Sequence, residues 1–517
     1  MRQLLLFLSS IVLGLGSARE WRGGGHHREY ILCARESGEL YYYKGSHERR
    51  TQCDVDVARA KDLIDPHIYN LFHDYCKGAE EYCNRLRTFS RANLDYMREQ
   101  VNKHRDDSFW KQVNVTLSHM IGMIDGFSGD LISGINDHEA AVHGIFLLQL
   151  QAEIWDYEAK LGRPKELWTR RGHCSAIVKL TPGNSNLLFS HITWDSLSSM
   201  LRMQKRLTFK MDIPGKTYTY SGYPGTTASI DDFYLTSAQL AVFETTNEVY
   251  DNDIYVYTTT RTVPTWIRSQ VATRLASTAE EWVSIFGQHN SGTYNNQWVV
   301  VDYKLFEPGM ESLPPGLIYV LEQMPGSIEY ADMTAHLDMK RYWPGYNKPY
   351  FTSTAHVSGC DKMREKYGDF YSHNATSRAK IFARDQHNVK DVASLRKLMR
   401  SNDYKHDPFS RCKGCKPEYN AQLAIASRAD LNPANGQYPI PDLSMLDMVA
   451  TDVKITDVEL METLSFDASV GPTHQSVPVF DWETSQLKDK VRHRSQPRRW
   501  EFKPVQHVWS QRSLYDD

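Results

Sequence analysis

The residues best suited to covalent chemistry sit in the middle of the chain. Cys174 opens the apolar run CSAIVKL, and His191 and Asp195 stand near the end of a second run, NLLFSHITWD. Pro182, Gly183 and Asn184 lie between the two runs, and such a turn between β-type segments reads as a hairpin. Antiparallel pairing returns the far end of the second strand to the start of the first, so His191 and Asp195 come back beside Cys174. Other catalytic patterns are absent from the sequence. GFSGD at 126–130 has Asp130 where a nucleophile elbow requires glycine, and the papain-type surround is missing at Cys174. There is no His-Glu-x-x-His helix and no Gly-x-x-x-x-Gly-Lys phosphate loop. No cofactor and no metal is expected.

The texture of the chain changes around Cys174. From about Ala58 to Lys160 the apolar spacing is helical, as in DSFWKQVNVTLSHMIGMIDG and in DHEAAVHGIFLLQLQAEIWDYEAKLG, which stops at Gly162 before Pro164. After Cys174 the runs are β-rich: KTYTYSGY, DFYLTSAQLAVFETT, QWVVVDYKLF and GLIYVLEQM. One strong helix is predicted among them, from Pro264 to Gln288. From Ala355 onward the pattern is mixed and rich in loops. The class is α+β, with helices packed around antiparallel sheet.

Compartment follows from the first residues. Met1 and Arg2 precede an apolar run from Leu4 to Leu15, then Gly16, Ser17 and Ala18, which reads as a secretory signal over 1–18. The apolar run is too short to span a bilayer, which takes about 20 residues, so no transmembrane segment is expected. Asn114-Val-Thr116 and Asn374-Ala-Thr376 are then acceptor sites for N-linked glycans. Of eight cysteines, Cys76 pairs with Cys83 and Cys412 with Cys415 as local disulfides; a zinc site at the second pair lacks another Cys-x-x-Cys. The pairing of Cys33, Cys53 and Cys360 stays open. With 41% hydrophobic residues the 517-residue chain supports a large core. Its net charge of -3 gives no footprint for nucleic acid.

Several stretches resemble the phospholipase B-like (lamina ancestor) family of N-terminal nucleophile hydrolases: CSAIVKLTPGNSNLLFSHITWDS (174–196), SGYPGTTASIDDFYLTSAQLAVFETTN (221–247), NSGTYNNQWVVVDYK (290–304), SRAKIFARDQ (377–386) and the C-terminal FDWETSQLKDKVRHRSQPRRWEF. The resemblance implies a four-layer αββα sandwich of antiparallel sheets flanked by helices. It also implies autocatalytic cleavage between His173 and Cys174, giving fragments 19–173 and 174–517 that stay in one globule, and a lysosomal or secreted glycoprotein. A lone thiol starting a strand then has a reason: position 174 becomes a chain terminus. The freed α-amine, with a pKa of about 7.7–8.0, takes the proton of a thiol near about 8.5. Asp195 resembles the carboxylate that orients that amine, and His191 and Trp194 belong to the family's H-x-T-W-D pattern. In the bile-salt hydrolase and acid ceramidase branch an arginine stands three residues before this aspartate, where the chain has Ile192. Asn296, with Asn247 and Asn295, is the candidate oxyanion donor; Asn295 and Asn296 equally suit a hairpin turn.

The substrate expected is a lipid or small molecule with an acyl ester or amide bond, as in phospholipid deacylation or N-acyl amide hydrolysis. The alternative is a self-processed secreted glycoprotein with a binding role and little turnover. Oligomeric state is left open.

Overall fold

A computed structural model describes residues 11–13, 52–128, 144–169, 172–506 and 509. Two antiparallel sheets lie face to face. The first carries, in spatial order, β3 (Met203–Thr208), β4 (Thr217–Gly222), β5 (Phe233–Thr236), β6 (Leu240–Thr246), β7 (Asn296–Asp302), β8 (Ile318–Met324) and β9 (Ser327–Asp332). Ile11–Leu13, inside the predicted leader, runs parallel along the edge of β3; the rest of the 1–18 signal lies outside the described residues, as does Cys33. The second sheet runs β10 (Tyr342–Gly345), β1 (His173–Leu180), β2 (Leu187–Ser196), β12 (Asp452–Thr456), β13 (Asp467–Val470) and β14 (Val505–Gln506), with β11 (Met448–Ala450) also paired to β2.

The apolar runs explain the layering. In β1 and β2 consecutive residues are buried because both faces of the sheet are covered. Ala176, Val178, Leu180, Leu187 and Phe189 point to one face and meet Phe233, Leu235, Phe243, Val299 and Val320 of the first sheet. Phe189 and Phe243 pack with ring centroids 4.5 Å apart. Ile177, Leu188, Ile192 and Trp194 point the other way, onto Ile381 and Phe382 of a helix at Ser377–Asp385 and onto Leu395 and Met399 of another at Val392–Met399. The outer face of the first sheet, through Tyr218, Val242, Trp298 and Val300, is covered by Ala272, Trp282 and Phe286. The order helix, sheet, sheet, helix is the layered sandwich that the family resemblance implied, within the α+β class read from the change of texture. Within it the strand HCSAIVKL and its partner close through Gly183 at φ 67° and Asn184 at φ 52°, conformations that glycine and asparagine tolerate best.

Two helical readings are corrected and one β-rich run is resolved into two strands. The helix predicted over 264–288 is two helices, Thr265–Leu275 and Ala279–Gly287, because the Thr278 side chain caps the second by accepting from the backbone N–H of Glu281. DFYLTSAQLAVFETT is a hairpin of β5 and β6, its turn closed by Gln239 at φ 60°. The helical stretch ending at Gly162 is, among its described residues, two short helices, Gly144–Gln149 and Ile154–Leu161. Both expected disulfides form, Cys76–Cys83 and Cys412–Cys415, while Cys174 and Cys360 are buried free thiols.

The residues before Cys174 are packed into this body. Helices at Glu80–Lys103 and Ser108–Ser128 share one apolar core with Trp266, Ile267 and Val271 from beyond it. Glu153 accepts from the backbone N–H of Trp266 at 2.9 Å and from the Thr293 hydroxyl at 2.6 Å. Among the described residues no helix is long and apolar enough to cross a membrane.

Candidate active site around Cys174

Register decides what Cys174 meets. It pairs with Thr193, and Ala176 pairs with His191, so Cys174 and His191 lie on the same face of the hairpin. That face looks onto the first sheet. There β6 presents Glu244, and the Cys174 thiol donates to Glu244 Oε1 at 3.6 Å. The Cys174 sulfur, a His191 ring nitrogen and a Glu244 carboxylate oxygen all lie within 4.8 Å of one another, and all three residues are buried. The Tyr294 hydroxyl donates to Glu244 at 3.2 Å and lies still closer to Asp232. Tyr294 is itself held by Asp156, which accepts from its backbone N–H at 2.7 Å and comes from the chain before Cys174. The site therefore draws on both sides of residue 174.

The electrostatics follow from burial. Burial raises the Glu244 carboxyl from 4.5 to about 8, opposed by hydrogen bonds from Tyr294 and Cys174. Burial also pushes Asp232 well above the carboxylate range, and the neighbouring Glu244 charge adds to this. The Cys174 thiol is raised by burial and then by Glu244, so it rests protonated. His191 is pushed well below its ordinary value by burial and by the Lys454 ammonium, and stays neutral. Neither ring nitrogen of His191 makes a hydrogen bond of normal geometry among the described residues. Lys454 donates to the Thr193 hydroxyl at 2.8 Å and to Asp452 at 3.0 Å, which holds its charge beside the hairpin.

A second set of groups grips the peptide at Cys174. The Cys174 backbone N–H donates to Asn347 Oδ1 at 2.9 Å, and Asn347 Nδ2 donates to the Thr246 carbonyl at 2.9 Å. The Arg378 guanidinium donates to the Cys174 carbonyl and, at 2.9 Å, to Asn347 Oδ1. It also lies 4.3 Å from the Trp194 ring centre. Trp194 is fixed by its indole N–H, which donates to the Ile425 carbonyl at 3.2 Å. Preceding the thiol, His173 Nε2 is 2.8 Å from Glu248 Oε1.

The other expected residues take these places. Asp195 accepts from the Ser196 backbone N–H at 2.7 Å and from the Tyr223 hydroxyl at 3.3 Å, and the structure gives it no hydrogen bond to Cys174. Asn296 begins β7 opposite Thr246 rather than forming a hairpin turn. The side-chain amides of Asn296 and Asn247 are buried with no partner among the described residues, so their donors are uncommitted. Asn295 is committed: it donates to the Gly292 carbonyl at 3.1 Å and accepts from Gln323 at 3.2 Å. Ile192 is in the outer core, and the guanidinium at the site comes from Arg378 instead. Asn374 is exposed in a loop, whereas Asn114 is half-buried in a helix. Glu244, Asn347, Arg378 and Glu248 were not singled out from sequence. Glu244 and Arg378 do fall inside stretches that carry the family resemblance, and Asn347 shows only as a non-glycine residue at φ 64°.

Comparison with known proteins agrees with the resemblance. The Phospholipase B family matches residues 57–507. The phospholipase B-like 1 protein of Caenorhabditis elegans is 42% identical over 557 residues, covering 98% of this chain and 96% of that protein. The human phospholipase B-like 2 protein is 39% identical over 488 residues, covering 92% and 83%. Phospholipase B-like protein A of Dictyostelium discoideum is 34% identical over 439 residues, covering 79% and 74%.

Proposed function

The chain belongs to the Phospholipase B family, and from that premise we propose that it is a self-processing acyl hydrolase. It is cut between His173 and Cys174 and then uses Cys174 as an N-terminal nucleophile on acyl ester or amide bonds. One observation carries the reading: the Cys174 thiol is 3.6 Å from a buried carboxyl, Glu244, while its own backbone N–H is held by Asn347.

In the precursor Glu244 takes the thiol proton and Sγ attacks the His173 carbonyl carbon. The bond from that carbon to the Cys174 nitrogen breaks, the nitrogen is protonated, and a thioester links His173 to Sγ. Water then hydrolyses the thioester, leaving a His173 carboxylate and a free amine and thiol on Cys174. Asn347 Oδ1, already bonded to that nitrogen, holds the new amine. The unpartnered amides of Asn296 and Asn247 are the donors for the negative oxygen that develops. In turnover the amine serves as the base for its own thiol, and the acyl-enzyme is again resolved by water. An acid compartment protonates an ordinary amine, so the buried setting must depress its pKa. Fragments 19–173 and 174–517 remain associated through the shared helical core and the Asp156–Tyr294 bond. The product is a luminal lysosomal or secreted protein with glycans at Asn114 and Asn374.

The test is expression of the secreted chain with and without Cys174→Ala, read by intact mass and N-terminal sequence. Wild type yields a fragment beginning at Cys174 and the variant stays whole. Both staying whole, or both being cut alike, refutes self-processing.

A further inference from the structure

In the first cut the acyl donor is the chain itself, with His173 supplying the carbonyl. A substrate's acyl carbon must reach the same Sγ along the same line, so the surroundings of His173 describe what an acyl group meets. Those surroundings set a few charged groups among aromatic and aliphatic walls such as Trp194, Phe370, Tyr371 and Leu423. A pocket open to solvent is lined by His173, Trp194, Glu248, Tyr250, Lys348 and Arg378, among others. Glu248 holds the His173 imidazole at 2.8 Å. Lys348 is buried, 3.4 Å from the Tyr250 hydroxyl and 4.8 Å from the Tyr371 ring centre. A plain hydrocarbon chain in place of the imidazole takes from the half-buried Glu248 carboxylate the partner that His173 gives it and returns no hydrogen bond, which is costly.

The approach to the pocket has a shape as well. A Cβ placed on Gly172 lies 3.0 Å from the Trp155 ring and 3.2 Å from the Trp194 carbonyl. The chain therefore enters between two walls that admit bare backbone and little more.

Resting on the hydrolase reading above, we propose that the mature site takes peptide-like amides. Their carbonyl belongs to a residue bearing an imidazole or ammonium group that pairs with Glu248, and the residue before it is glycine-like. A fatty acyl chain is disfavoured, and Glu248 is the residue that sets this specificity. A site built around a hydrogen bond rejects an analogue lacking it by large factors.

The experiment uses the cut, secreted protein and two aminomethylcoumarin amides, acetyl-Gly-His and palmitoyl, with the peptide acid acetyl-Gly-His as a ligand. The peptide amide is expected to have a kcat/KM at least a hundredfold above the palmitoyl amide. Glu248→Gln lowers that value tenfold or more, mainly through KM, and weakens binding of the peptide acid in parallel. Acetyl-Val-His amide falls at least tenfold below acetyl-Gly-His. A palmitoyl amide turned over as well as the peptide, in a manner lost with Cys174→Ala, overturns the proposal and leaves the hydrolase reading intact. No saturable binding of the peptide acid overturns it as well. Binding of the acid without turnover of either amide supports the pocket and counts against the hydrolase reading. A chain that never cuts itself, recognised by its single mass, sinks both.

Discussion

Glu244→Gln tests the mechanism at the group from which it starts. Burial sets the Glu244 carboxyl at about 8 and pushes its neighbour Asp232 well above the ordinary carboxylate range. With a pKa of about 8, the base form is roughly one part in a thousand at pH 5 and about a tenth at pH 7. If that form takes the thiol proton, the rate of self-cleavage rises about tenfold per pH unit and levels off near pH 8. A positioned base contributes about 10²–10⁴-fold, and glutamine supplies none. The variant should therefore trail wild type by about that factor at pH 8, and the gap should shrink by about 500-fold towards pH 5, where the base form is scarce. The assay follows appearance of the Cys174 fragment by mass over time, from freshly isolated precursor, across pH 5–9. Folding is checked separately. A carboxyl whose folded pKa is raised contributes stability below its unfolded value near 4.5 and loses it as pH rises through about 8. Wild type should thus lose stability over that window, by at most about 1.4 kcal/mol per unit, and Glu244→Gln should flatten the loss. A variant that folds and cleaves at the wild-type rate with the wild-type pH profile removes Glu244 from the mechanism.

Other expectations are simpler. Asn347→Ala strands the Cys174 N–H and the Thr246 carbonyl in the interior, costing about 1–3 kcal/mol for each; urea denaturation should show the loss, with cleavage slowed alongside it. Unchanged cleavage in a folded Asn347→Ala protein speaks against its hold on the amine. A Cβ on Gly345 lies 2.7 Å from Thr245 Cγ2, where the two sheets touch beside the site, so Gly345→Val should destabilise by about 1–3 kcal/mol, read as a lower denaturation midpoint. Exposed Asn374 should carry a glycan, so Asn374→Gln should lower the mass of the secreted protein by one glycan; an unchanged mass refutes it. Occupancy at Asn114 should be lower, because it is half-buried in a helix and the Thr116 hydroxyl is engaged with the Gln112 carbonyl and Arg274.

What the sequence disclosed about the site follows from which interactions are local. The hairpin from Cys174 to Asp195 is written in one contiguous run, and its register needs only a turn and two apolar strands, so the approach of His191 to Cys174 was legible. Asp195 has the right spacing but ends on the Tyr223 hydroxyl, contributed by a segment whose position depends on the other sheet. Nothing local forecasts that. Glu244 reaches the thiol because two sheets stack with one particular offset, fixed by the fit of Phe189 on Phe243 and of Gly345 on Thr245, contacts that span dozens of residues or more. Asn347 and Arg378 arrive from a sheet edge and an outer helix, each more than 170 residues beyond Cys174. The same logic bears on the division of labour within the site. On the proposed mechanism the nucleophile sits on the strand that is cut, so the groups that act on it cannot share that strand without moving when it is severed. Glu244, Asn347 and Arg378 are all anchored elsewhere, in elements whose hydrogen bonds do not pass through residue 173. The proposed cut there would change the nucleophile's own terminus and leave its surroundings in place, so that one arrangement of side chains could serve first a precursor and then an enzyme.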